Sequence, residues 1–100
     1  MFGRPKPALR VEVTVQGLLG AAYLSVLATV TLPAGATVRD LLAELTRMGE
    51  LDPDAYAALR DVPAPLTLLV NGEAVTGRGR ARTRLADGDA VTILTPVAGG

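Results

Sequence analysis

The sequence predicts a two-layer α+β domain in which one main helix covers one face of a mixed sheet with four or five strands. Apolar and polar residues alternate over residues 9–16 and 25–32, which is typical of strands with one buried face. An apolar stripe at helical spacing spans residues 38–48, and further apolar segments at residues 66–70 and 90–95 are bounded by turn signals. Because a single amphipathic helix shields only one face of a sheet, these elements predict two layers.

The first two strands are expected to form an antiparallel hairpin. In the first strand, Leu9, Val11, Val13 and Val15 alternate with polar residues. Residues 17–24 are unusually apolar and are interpreted as the connection to the second strand. Two strands joined by a short link favour antiparallel pairing.

The main helix has recognisable signals at both ends. Thr37 and Asp40 fit a capping box at its start, and Gly49 stands where a helix-terminating glycine belongs. The stripe between them is formed by Val38, Leu41, Leu42, Leu45 and Met48.

A short second helix and a hairpin follow. Asp52 and Pro53 are typical of a helix start, and residues 55–60 continue the helix. Asn71-Gly72 is a strong hairpin signal, so residues 73–75 are expected to return beside residues 66–70. The pattern does not decide whether the helical crossover returns the chain in a parallel or an antiparallel sense.

Length and composition indicate one folded domain. The chain has 100 residues, 49% of them hydrophobic, which suits a single modest core. We expect a flexible arm over residues 1–7, the domain over residues 8–95 and an extended tail over residues 96–100.

The residue inventory argues against an enzyme. The chain has no cysteine and no histidine, so thiolate chemistry, cysteine-bound metals and the commonest general base are missing. Its formal net charge is zero, which provides no long-range attraction for nucleic acid or anionic membranes. No signal peptide or membrane span is recognised, and a cytoplasmic protein without bound metal is expected.

The C-terminal tail, Pro96, Val97, Ala98, Gly99 and Gly100, is the candidate functional segment. Pro96 cannot donate to a β-ladder, and the five residues reach at most about 17 Å. Two terminal glycines let the backbone pass through a narrow channel. The terminal carboxylate would then be available to a partner's active site, whereas a frayed end is the alternative interpretation.

Four segments in order resemble the MoaD/ThiS family of sulfur carriers. They are LPAGATVRDLL at residues 32–42, NGEAV at 71–75, TRLADGDAV at 83–91 and PVAGG at 96–100. The resemblance spans most of the chain and implies a β-grasp, ubiquitin-like fold. It also implies that the carboxylate of Gly100 is adenylated and then converted to a thiocarboxylate.

The resemblance further implies the partners. An adenylyltransferase of the ubiquitin-activating type, similar to MoeB or ThiF, would use ATP, and a sulfur donor protein would supply the sulfur; no cofactor is expected on this chain. MoaD-like members serve as the small, non-catalytic subunit of molybdopterin synthase with a MoaE-like subunit, and ThiS-like members supply a thiazole synthase. The second-helix region, residues 51–61, makes the chain longer than typical ThiS and favours molybdenum cofactor biosynthesis.

Two rival functions remain open at the level of sequence. A ubiquitin-like modifier would join the same carboxylate to lysines of other proteins. A β-grasp binding module, for example one associated with RNA, would not use the tail at all.

Two groups of residues outside the tail are candidate partner contacts. If Val91 and Ile93 face the core, Leu94 faces outward, and the same alternation turns Leu69 outward, which predicts an apolar patch leading to the tail. A bulge that buries either leucine is the alternative. Basic residues interleaved with small ones could contact an acidic partner or a phosphate, although a solvated loop is favoured and nucleic acid is not expected: Arg78, Arg80, Arg82 and Arg84.

Overall fold

The computed structural model describes residues 8–19, 22–63 and 65–95, and in these ranges five strands form one mixed sheet. Two α-helices and a 3₁₀ turn connect the strands. The predicted arm (1–7) and tail (96–100) lie outside the described residues. In chain order the elements are β1 (Ala8–Leu19), β2 (Ala22–Pro33), α1 (Val38–Arg47), α2 (Pro53–Leu59), β3 (Thr67–Val70), β4 (Glu73–Val75), the 3₁₀ turn (Arg80–Arg82) and β5 (Ala90–Leu94).

The sheet order is β2-β1-β5-β3-β4, which places the last strand at the centre. β5 runs parallel to β1 and antiparallel to β3, and the two hairpins β1–β2 and β3–β4 are antiparallel. A hairpin, a helix and a final strand parallel to the first make up the β-grasp arrangement. The predicted two-layer α+β fold is therefore confirmed, and the structure decides the sense of the crossover that the sequence left open.

The first hairpin is longer than the sequence predicts. Residues 17–19 and 22–24, interpreted as a connection, are paired strand residues, with Gly17 opposite Leu24 and Leu18 opposite Tyr23. The interpretation was wrong because the outward-facing positions here are apolar, so the polar half of the alternation is missing. Gly20 and Ala21, which join the strands, lie outside the described residues.

Helix α1 begins and ends where its capping signals predict. The Thr37 side chain accepts a hydrogen bond from the Asp40 N–H, and Asp40 accepts one from the Thr37 N–H. At the other end Glu50 N–H donates to the Leu45 carbonyl, closing the turn around Gly49, whose φ is +84°. The stripe prediction was wrong at Met48, which caps the helix and is 44% exposed.

The remaining turns follow their sequence signals. Asp52 caps α2 by accepting from the Ala55 N–H at 2.7 Å, with Pro53 at the first helical position. Asn71 and Gly72 both have positive φ, as the tight turn between β3 and β4 requires.

The core lies between the helices and one face of the sheet. Its largest fully buried residues come from both helices, from the inner face of β1, β2, β3 and β5, and from the loop after α2. They are Leu41, Leu42, Leu45, Leu59, Leu68, Ile93, Val11, Val13, Val15, Val30, Val38 and Val62. The opposite face of the sheet carries no helix in the described ranges and faces solvent.

Candidate functional site

The described part of the chain ends one residue after the central strand of the sheet. β5 is flanked by β1 and β3, and the backbone pairing continues one residue beyond it, because Thr95 N–H donates to the Gln16 carbonyl at 2.9 Å. Thr95 is 5% exposed and lies against Gly17 of β1. The predicted site at Gly100, with Gly99, Ala98, Val97 and Pro96, lies outside the described residues, but its point of attachment is held by strands on both sides.

The turn that leads into β5 is held by two acidic side chains. Arg10 N–H donates to Asp87 at 2.8 Å, and Ala86 N–H donates to Asp89 at 2.8 Å. Asn71 joins the second hairpin to this turn, since its amide donates to Asp89 and accepts from the Ala90 N–H. These carboxylates are engaged in fixing the start of β5, and in the described ranges no three acidic residues cluster as a metal site would require.

The two leucines of the predicted patch lie on the same solvent-facing side of the sheet. Leu94 is 37% exposed and Leu69 is half-buried. In the pairing of β3 with β5, Leu94 is opposite Thr67 and Leu69 is opposite Thr92. The leucines are therefore diagonal neighbours, a relation that spans roughly 7–8 Å between Cα atoms.

Two more exposed apolar side chains lie on this face, and of these sequence reasoning missed Leu27. Leu27 is 82% exposed and Tyr23 is 62% exposed, and both belong to β2. Both residues occupy positions of β2 at which the alternating pattern places solvent-facing side chains, and this could have identified them from the sequence.

The charged residues on this face of the sheet lie far from the end of β5. Arg10 and Glu12 lie at the opposite end, near the turn that contains Asp87. The face around Leu94 carries uncharged polar residues in the described ranges: Thr14, Gln16, Ser25, Thr67 and Thr92. An apolar surface with an uncharged polar surround lies at the base of the tail, which is the composition expected of a protein contact.

The four arginines do not share one environment. Arg78, Arg82 and Arg84 are exposed, whereas Arg80 is half-buried. Arg80 donates from Nε to the Val62 carbonyl at 2.8 Å and from Nη2 to the Leu66 carbonyl at 2.5 Å.

Arg80 is thus a brace for the loop that precedes β3. An electrostatic contact between this segment and a partner stays a prediction. The guanidinium groups that make such a contact would have to come mainly from the three exposed arginines.

A salt bridge on α1 joins Arg47 to Glu44. On α1, the hydrogen bond from Arg47 lowers the pKa of Glu44, and the Glu44 carboxylate raises the pKa of Arg47.

An open groove of about 540 Å³ lies between residues 61–66 and 77–80, and a second of about 410 Å³ lies between the first hairpin and α2. No helix in the described ranges is long and apolar enough to cross a lipid bilayer.

The fold and the site together define a class: a β-grasp domain whose C-terminal segment is attached to the central strand beside an exposed apolar surface. The model of the ThiS family matches residues 22–100, and the chain belongs to that family.

The chain is also similar to curated relatives and to a solved structure. The chain is 40% identical over 68 residues to the sulfur carrier protein CysO of Mycobacterium tuberculosis and to CysO of Mycobacterium bovis. Each match covers 66% of this chain and 70% of the relative. The solution structure of the Haloferax volcanii HVO 2177 protein aligns over 100% of this chain and 94% of that one, with a TM-score of 0.63 and 28% identity.

Proposed function

We propose that this protein is a sulfur carrier whose C-terminal carboxylate, on Gly100, is converted to a thiocarboxylate and then donates its sulfur. The observation that carries the proposal is the ThiS family match, which includes the Gly-Gly end and runs to residue 100. Similarity to the CysO sulfur carriers supports the same role.

The chemistry needs two steps performed by partners. A carboxylate is a poor electrophile, so one of its oxygens first attacks the α-phosphate of ATP, forming an acyl-adenylate and releasing pyrophosphate. Sulfur delivered by the donor at the sulfide level, as HS⁻, then attacks the carbonyl carbon and displaces AMP, which leaves the thiocarboxylate. An adenylyltransferase of the ubiquitin-activating type and a sulfur donor protein would provide the catalytic groups, because this chain has no cysteine and no histidine.

The fold contributes a rigid attachment and a docking surface. Thr95 is fixed by its bond to the Gln16 carbonyl, so the chain would be held at a defined point of the sheet five residues before the reactive carboxylate. Leu94 and Leu69, beside that point, would contact the activating enzyme. In this role the protein is a co-substrate and performs no catalysis itself.

The acceptor of the sulfur is the finer part of the proposal. Similarity to CysO favours the same sulfur acceptor that the CysO proteins serve. The molybdopterin precursor, with a MoaE-like subunit, and the thiazole synthase reaction are the alternatives that the sequence raised. Offering the thiocarboxylated protein to each acceptor system in turn and measuring product distinguishes them.

Intact-mass measurement tests the carrier chemistry. After incubation with an activating enzyme, ATP and a sulfur donor, the mass should rise by the difference between one sulfur and one oxygen atom. Deletion of Gly100 should abolish the change, whereas the surface substitution Arg47→Ala on α1 should leave it intact. An unchanged mass with activating enzymes that modify another carrier would overturn the proposal, and an isopeptide adduct on lysine would identify a modifier instead.

A further inference from the structure

The outer edge of β2 is long and carries no charge. β2 lies at one edge of the sheet, and none of its 12 residues is charged. The opposite edge, β4, has 3 residues and begins with Glu73. Proteins usually protect exposed edges by shortening or charging them, because an open strand pairs readily with another chain. β4 has both protections, whereas β2 has only Pro33 at its end.

Backbone hydrogen bonds show which groups of β2 face the open edge. Glu12 N–H donates to the Asp89 carbonyl and the Gln16 carbonyl accepts from Thr95, so even-numbered residues of β1 point their backbone groups toward β5. Odd-numbered residues of β1 must then bond to β2, where they are paired with even-numbered residues. The N–H and C=O groups of the odd-numbered residues of β2 therefore point outward: Tyr23, Ser25, Leu27, Thr29 and Thr31.

The side chains along this edge include partly or largely exposed apolar ones on both faces of the sheet. On the solvent side Leu27 and Tyr23 are largely exposed. On the helix side Val26, Val30 and Leu32 are buried in the core, whereas Leu24 and Ala28 are half-buried, so part of this face of β2 stays in contact with water. A strand added here would remove apolar surface from water on both faces.

We propose that β2 pairs antiparallel with β2 of a second copy of this chain, with the two-fold axis at Leu27. Leu27 then lies opposite Leu27 of the other copy, Ser25 opposite its Thr29 and Tyr23 opposite its Thr31. Each of these pairs joins residues whose backbone groups both face the open edge, so they are hydrogen-bonded pairs. Residue 27 is near the middle of Ala22–Pro33, so this register uses almost the whole strand.

The absence of charge is what favours a second copy as the occupant. A two-fold axis places residue 27 opposite its own equivalent and pairs the rest of β2 with other residues of the same strand, and like charges on facing strands are destabilising. β2 has no charged residue. In the proposed register leucine lies opposite leucine, and residues with hydroxyl groups lie opposite one another. The two β5 strands would stand five strand spacings apart, about 24 Å, so neither Thr95 is covered. The inference does not depend on the proposed function.

The mass in solution tests the pairing. Sedimentation equilibrium of the wild-type protein over a range of concentrations should show the mass rising from 10.3 kDa toward twice that value. Leu27→Lys, which places two like charges at the axis, should remain monomeric. Leu94→Lys makes the same change on the same face but on a central strand, and should dimerise like the wild type. A wild-type protein that stays monomeric, or a Leu27→Lys variant that dimerises, overturns the proposal.

Cross-linking tests the register, since the chain has no other cysteine. With oxidised glutathione as electron acceptor, Leu27→Cys should form a disulfide-linked dimer, because hydrogen-bonded pairs have Cα atoms about 5.5 Å apart. Thr31→Cys is the matched control: in this register the two Thr31 positions are roughly 27 Å apart. Cross-linking should be at least about tenfold faster for Leu27→Cys. Equal rates would overturn this arrangement.

Discussion

Thr95 occupies the space that a side chain on Gly17 would need. A Cβ atom built on Gly17 would stand 2.1 Å from the Thr95 Oγ1 and 2.7 Å from the Thr95 carbonyl oxygen. Gly17 also has a φ of +125°, a conformation that residues with side chains rarely adopt. β1 can therefore accept the end of β5 at this point only because residue 17 is glycine. The contact fixes the position of Thr95, the last residue that the structure describes.

Gly17→Ala should destabilise the protein by about 2–4 kcal/mol, because it adds both a steric clash and backbone strain. Urea denaturation followed by circular dichroism measures the loss. Gly77→Ala is the matched control, since Gly77 has a φ of +93° but nothing within 4 Å of the added Cβ. It should lose only the strain, about 1 kcal/mol. Equal losses in the two variants would contradict the steric explanation.

Thr95→Val should leave the stability unchanged or raise it by up to about 1 kcal/mol. The Thr95 Oγ1 is buried and has no hydrogen-bond partner among the described residues, and a methyl group of the same shape needs none. Thermal and urea denaturation measure the change. A clear loss of stability would show that the hydroxyl is bonded in solution, and Thr95→Ser would then retain the wild-type value.

Arg80→Ala should cost about 2–3 kcal/mol in free energy of unfolding, because it leaves the carbonyls of Val62 and Leu66 without their donor. Val62 itself has a φ of +44°, so this loop depends on being held. Arg82→Ala, at an exposed position in the same segment, should change the free energy by less than about 0.5 kcal/mol. Similar effects from the two substitutions would argue against a bracing role.

Leu94→Lys should weaken productive binding to the activating enzyme at least about tenfold, since it places a charge in the apolar surface beside the tail. Because Leu94 is partly exposed, the melting temperature should change little. The measurement is the KM for carrier in pyrophosphate release during adenylation. Thr31→Lys, on the same face near Arg10, is the control and should leave the KM unchanged. An unchanged KM for Leu94→Lys would remove this leucine from the docking surface.

Local signals were sufficient for most elements. The capping pair of Thr37 and Asp40, the Asn71-Gly72 turn and the alternation in β1 each depend on neighbouring residues, so the sequence states them directly. The failure at residues 17–24 has a physical cause. Alternation reveals a strand only when its outer face is polar, and Leu18 and Tyr23 make it apolar.

Relations between residues far apart in the chain could be predicted only in part. The outward direction of Leu69 and Leu94 could be derived from the alternation of side chains between the two faces of a strand. Their diagonal placement required the register between β3 and β5. The bracing role of Arg80 could not be derived, because its partners, the carbonyls of Val62 and Leu66, are set by the fold of another loop.

By itself, the sequence determined the two-layer class, the helix limits, the hairpin turn and the family to which the chain belongs. These depend on periodicity, capping and motifs, which are properties of contiguous residues. Only the tertiary structure decided that β5 enters parallel to β1, that Gly17 makes room for Thr95, and that the uncharged strand β2 lies at an edge of the sheet formed by the described residues. Those features depend on contacts between residues far apart in the chain, which no local pattern encodes.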